Sequence, residues 1–116
     1  MDLLERDGCL QQLGAALAGH ADRSTAFLAL LQELCGCPTI AVFEDVHWAD
    51  EATLDVLGFL ARRLGRCSTL LILTYRDDEV GQRHPLRRLL GDLAGSPLVR
   101  RLALPRLSEA AIRVMV

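Results

Sequence analysis

The sequence predicts an α/β layered domain built on a short parallel sheet, and three observations carry that expectation. Two short apolar runs rich in β-branched residues, Thr39 to Phe43 (TIAVF) and Thr69 to Tyr75 (TLLILTY), lack helical periodicity and read as buried strands. Between them Leu54, Leu57, Leu60 and Leu64 fall at helical spacing. A strand, a crossover helix and a second strand almost always make one parallel unit. The length, 116 residues with 51% hydrophobic, suits one core and is too short for two.

The remaining elements follow in order. Leu3 to Leu17 and Phe27 to Leu34 carry helical stripes on either side of the polar stretch Gly19 to Thr25 (GHADRST). The crossover helix has Asp50 as its cap and Glu51 at its positive end, with Arg62, Arg63 and Gly65 suiting its C-terminus. Leu86, Leu89, Leu90 and Leu93 mark a further helix, with Pro85 in its first turn and Gly95 and Pro97 past its end. Leu98 to Leu104 (LVRRLAL) reads as a third strand whose central arginines suggest an edge or one exposed face. Ser108 caps a last helix patterned through Ile112, and the chain reaches Val116 without a stop signal, as an interrupted helix does.

Composition narrows the function classes. Thirteen basic against fifteen acidic side chains give a formal net charge of −2, which argues against direct nucleic-acid binding driven by charge. All of the basic residues are arginine, so chemistry that needs a lysine amine is excluded. No apolar run approaches the ~18 residues of a membrane span, and Asp2, Glu5 and Asp7 stand where a secretory signal would be basic. A soluble cytoplasmic protein is expected. Cys9, Cys35, Cys37 and Cys67 are irregularly spaced and are expected to be reduced, at helix and strand ends. Cys35, Cys37 and Cys67 with His20 and His47 form a weaker zinc alternative, because a CxC pair alone is a poor signal.

The informative stretch is Pro38 to Asp50, PTIAVFEDVHWAD, in which an apolar strand runs into Glu44 and Asp45. Ligands in open α/β sheets bind at the C-terminal ends of strands, and two carboxylates there can hold a divalent cation and activate a water. Taken alone, the pair reads more simply as acids that end a strand and solvate a turn. The whole string, EDVHWAD followed by EATLDVLGFLARRL, closely resembles the Walker B region of STAND-class P-loop ATPases, in particular the ATPase domain of large LuxR-family transcriptional regulators. LLILTYRDDEV is similar to that family's sensor segment; HPLRRLLGDL and LALPRLSEAAI follow its order toward a helical lid. LLERDGCLQQLGAAL resembles the segment that precedes the P-loop.

The resemblance implies an incomplete P-loop NTPase-like sheet of about three strands in a single partial ATPase domain spanning 1–116. Its parts are a leading helix at 1–18, a Walker B-like region at 38–50, a sensor-like strand at 69–80 and the start of a lid helix at 108–116. It also implies ATP and Mg2+ as ligands, with Glu44 and Asp45 as the magnesium pair, Asp45 polarising the attacking water and Arg76 reading the terminal phosphate. Family members more often place aspartate first in the acidic pair, where this chain has Glu44. They also carry a GxxxxGK[ST] loop before Walker B. Laid on that motif from Gly19, Ser24, Thr25 and Ala26 fall where glycine, lysine and a hydroxyl belong. Backbone N–H groups and the lysine of that loop cradle the phosphates, so nucleotide binding and hydrolysis are expected to be weak or lost. A non-catalytic interaction module or inert remnant on the same scaffold is the alternative, with self-association or partner binding through open sheet edges.

Beside these residues, His47 is expected to be a structural hydrogen-bonder, Trp48 a packing residue and Asp50 a cap. The lesser alternative for Arg76 is a strand-end arginine pairing with Asp77 or Asp78. The resemblance also implies that the missing phosphate-loop strand belongs in the middle of the sheet, and its loss predicts marginal stability, with no cooperative melt above ~60 °C.

Overall fold

The structure is a computed structural model that describes residues 23–116. The helical stripe expected over Leu3 to Leu17 and the leading helix at 1–18 lie outside the described residues. The elements are α1 (Arg23–Cys35), β1 (Thr39–Phe43), α2 (Glu51–Arg63), β2 (Thr69–Leu73), α3 (Pro85–Ala94) and α4 (Glu109–Met115), with 3-10 turns at Val46–Trp48, Leu64–Arg66 and Asp77–Glu79. β1 and β2 pair in parallel, Thr39 opposite Thr69 through Phe43 opposite Leu73, with α2 as the crossover. The chain is therefore mixed α/β.

Local chemistry explains the helix ends. Asp50 Oδ1 accepts from the Thr53 N–H at 2.8 Å, with Glu51 in the first turn and Arg62 and Arg63 in the last, which matches the polarity of the helix dipole. Pro85 starts α3, and the side chain of His84 accepts from the Leu86 N–H. Ser108 caps α4 through the Ala111 N–H.

α2 is the spine of the core. Leu54 and Leu57 face a cluster with Val46, Val80, Leu86, Leu89 and Leu93, against which Phe43, Leu73 and Tyr75 pack. Val56, Leu60 and Leu64 face a second cluster with Leu30 of α1, joined by Phe27, Leu31, Leu34 and Leu71. Leu57, Leu60 and Leu86 are fully buried. α1, α2 and α3 thus share one face of the sheet, and α4 contributes to neither cluster. On the other face, Ile40 and Val42 lie opposite Leu70 and Ile72 in the register, and all four are exposed.

Two expectations are corrected. The sheet has two strands among the described residues, because Leu98 to Leu104 forms no strand. Arg101 of that segment instead pairs with Asp77 at 3.3 Å and lies over the Tyr75 ring, while Leu98 packs so closely on Gly65 that a Cβ there would collide with it. These side-chain contacts hold the segment beside the site without a backbone ladder. Cys35 and Cys67, expected to be reduced, form a disulfide across a Cα separation of 5.0 Å. Parallel pairing brings the end of α1 beside the start of β2, a proximity that a sequence separation of 32 conceals.

Candidate functional site

The candidate site is built where β1 and β2 end side by side. Pairing continues past the strands: the Thr74 N–H donates to Phe43 O at 3.0 Å and the Val46 N–H donates to Thr74 O at 2.9 Å. The Asp45 N–H donates to Thr74 Oγ1 at 3.2 Å. These bonds turn the chain sharply after Glu44 and leave Asp45 at φ 55°, ψ 44°, the one non-glycine residue at positive φ among the described residues. Aspartate tolerates that region better than most side chains, at some cost in strain. Glu44 and Asp45 are both exposed.

His47 ties the two strand ends together. Its side chain is only 1% exposed, and its Nδ1 accepts from the Arg76 N–H at 3.2 Å. An accepting Nδ1 leaves the neutral ring's proton on Nε2. Nε2 lies 3.0 Å from Glu79 Oε2, within ion-pair distance but off the hydrogen-bond direction, so it has no hydrogen-bond partner among the described residues. The same Glu79 oxygen accepts from Trp48 Nε1 at 3.1 Å, and Glu79 Oε1 lies 3.3 Å from the Arg76 guanidinium. His84 extends the network: its Nε2 is 2.8 Å from His47 O, while its Nδ1 receives the Leu86 N–H. An accepting Nδ1 makes Nε2 the donor to that carbonyl.

The sequence-predicted residues are therefore gathered at one edge but not joined to one another. Arg76 spends its guanidinium on Asp78 at 3.3 Å and on Glu79, and no hydrogen bond or ion pair links it to Glu44 or Asp45 among the described residues. His47 is the expected structural hydrogen-bonder. Trp48 is not the packing residue expected: it is 75% exposed, held by its indole N–H and edge-on to His47. Glu79 and His84 were missed. The acidic run Asp77–Glu79 after Arg76, and a histidine directly before the helix-starting Pro85, were the available signals.

The donor chemistry at this edge is mixed. Two exposed carboxylates suit a hard cation such as Mg2+, which takes one or two carboxylates and fills its shell with water and phosphate oxygens. No group of three or more His, Cys, Asp or Glu side chains among the described residues is arranged to hold a metal ion. Cys35 and Cys67, bonded to each other, are not thiolate ligands for the zinc alternative. The groove between α2 and α3, about 350 Å³ and lined by Glu51, Asp55, Arg62, Arg88 and Asp92 among others, does not include Glu44, Asp45 or Arg76. No helix among the described residues is long and apolar enough to cross a membrane. Models of protein families, curated proteins and solved structures give no match to this chain.

Proposed function

We propose that the chain is a cytoplasmic, partial STAND-type ATPase domain of the kind found in LuxR-family transcriptional regulators, with nucleotide binding and hydrolysis weakened or lost. The observation that carries this reading is the shared strand edge. Glu44 and Asp45 leave β1 beside Arg76 after β2, with Thr74 and His47 holding the two ends in register. In this reading Glu44 and Asp45 would hold Mg2+, and Asp45 would orient a water. Arg76 meets the terminal phosphate once it leaves Glu79 and Asp78. The nucleotide supplies the phosphoanhydride bond, while the chain contributes carboxylates on one strand and a guanidinium on the next. With no lysine in the sequence, the outer phosphates lack the usual cation of a phosphate loop. The chain itself makes no direct nucleic-acid contact in this reading.

The test is calorimetric titration of the full chain with ATP and magnesium, beside Asp45→Asn and Arg76→Ala. Asparagine keeps the tolerance for positive φ while removing the charge. Any heat of binding should vanish in both variants, and turnover should stay below ~1 per second, the low end of typical enzymes. Binding untouched by both substitutions would refute the assignment of these residues.

A second reading is favoured by the bare sheet face. Ile40, Val42, Leu70 and Ile72 form an exposed apolar patch on a parallel pair, and parallel sheets are ordinarily covered on both faces. A non-catalytic interaction module, associating with itself or a partner protein through this sheet, needs no nucleotide. Sedimentation of wild type against Val42→Lys separates the two: concentration-dependent association that the lysine abolishes supports the module.

A further inference from the structure

We propose that the Cys35–Cys67 disulfide is a redox-operated latch that holds α1 on the core and opens without dismantling the strand-end site. The bond joins the last residue of α1 to the residue two before β2. Cys35 is exposed and Cys67 half-buried, so a thiol reaches the bond in the folded chain; deeply buried cysteines are inert to such exchange.

What the latch controls follows from the two core clusters. α1 contributes Leu30, Phe27, Leu31 and Leu34 to the cluster around Val56, Leu60 and Leu64, and Cys67 packs against that same cluster. The other cluster, with Val46, Leu57, Val80 and Leu86, contains no residue of α1 and underlies the strand-end network. Besides the disulfide, a hydrogen bond from Thr69 Oγ1 to Leu34 O ties the end of α1 to β2. α1 has no basic residue in its last turn to favour its C-terminus. Opening the bond therefore loosens one end of a helix whose departure uncovers apolar side chains of α2, while His47, Trp48, Arg76 and Glu79 keep their partners.

The chemistry is thiol–disulfide exchange with a dithiol reductant. One reductant thiolate attacks the exposed Cys35 sulfur, forming a mixed disulfide and releasing Cys67 as thiolate. The second reductant thiolate then attacks its own sulfur in that mixed disulfide and releases Cys35. Two electrons pass to the protein, both cysteines take up protons, and the reductant leaves as a cyclic disulfide. Exposure to an oxidising disulfide reverses the sequence.

The experiment is amide hydrogen exchange on the full chain, air-oxidised and after dithiothreitol, with Trp48 emission recorded in parallel. Trp48 is the sole tryptophan and reports the strand-end network through its bond to Glu79. Reduction should raise exchange across Arg23–Cys35 by at least about tenfold, the signature of a local opening, with Trp48 emission unchanged and full recovery on reoxidation. Cys35→Ser and Cys67→Ser should exchange as the reduced protein does and ignore dithiothreitol, while Cys37→Ser should behave as wild type. Unchanged α1 exchange in wild type whose Cys35 and Cys67 are verified as reduced would overturn the proposal. So would free alkylation of both cysteines in the air-oxidised chain, or a Trp48 change that accompanies the opening.

Discussion

Replacing His47 with alanine should be among the most damaging single changes at the site, because His47 is the buried strut between the two strand ends. The substitution removes the acceptor of the Arg76 N–H, which donates to Nδ1 at 3.2 Å in a part-buried position, and losing that partner costs about 1–2 kcal/mol. It also empties a ring-sized space next to Val46, which is 3% exposed, and adds a cavity cost of about 1 kcal/mol or more. A total of about 3 kcal/mol corresponds to a fall in Tm of roughly 12 °C in a domain of this size. His47→Asn dissects the effect. Its side-chain oxygen can take the place of Nδ1 and accept from Arg76, so it should cost about half as much. The assay is thermal denaturation followed by far-ultraviolet circular dichroism, with Trp48 emission as a local probe. Equal losses for alanine and asparagine, or an alanine loss below about 1 kcal/mol, the worth of one ordinary hydrogen bond, would show that His47 is not the strut.

Other substitutions test separate parts of the account. Asp45→Gly should melt higher than Asp45→Ala by about 1 kcal/mol, because alanine pays for positive φ and glycine does not; equal melts would remove the strain at φ 55°. Asp50→Ala should lose about 1 kcal/mol of stability through the cap to Thr53, read by urea denaturation. Leu57→Ala, at a fully buried position on α2, should cost about 2–5 kcal/mol and leave little folded protein at 37 °C if the domain is as marginal as its two-stranded sheet implies. Val42→Lys, on the bare sheet face, should change stability by less than about 0.5 kcal/mol, as surface substitutions do; a larger loss would mean that the face is covered.

Much of this architecture was legible because its signals are local. The strands at Thr39 and Thr69 are short aliphatic runs, and Asp50, Pro85 and Ser108 each punctuate a helix by a mechanism that acts within one turn. The expectation for LVRRLAL failed because apolar ends around two arginines say that a segment can be an edge strand, not that a neighbour is there to pair with it. Arg101 found Asp77 and Tyr75 instead. The disulfide was invisible for a related reason, since Cys35 and Cys67 meet only after α2 has carried the chain across the sheet. At the site, the placement of Glu44, Asp45 and Arg76 at strand ends could be read from the apolar runs before them. The part played by Glu79 could not, because one carboxylate reaching His47, Trp48 and Arg76 depends on the turn at Asp77–Glu79 folding back.

A thermal melt of the full chain with magnesium, at zero and at millimolar ATP, is the sharpest test of the proposed ATPase-like strand edge without a phosphate cradle. A site with a millimolar dissociation constant gains about 0.4 kcal/mol when ligand equals that constant, a shift of roughly 2 °C. The expected result is a cooperative melt below ~60 °C with a shift no larger than that, and none in Asp45→Asn or Arg76→Ala. A shift of roughly 10 °C, as ~100-fold saturation of a tight site gives, or any shift that survives both substitutions, would contradict it.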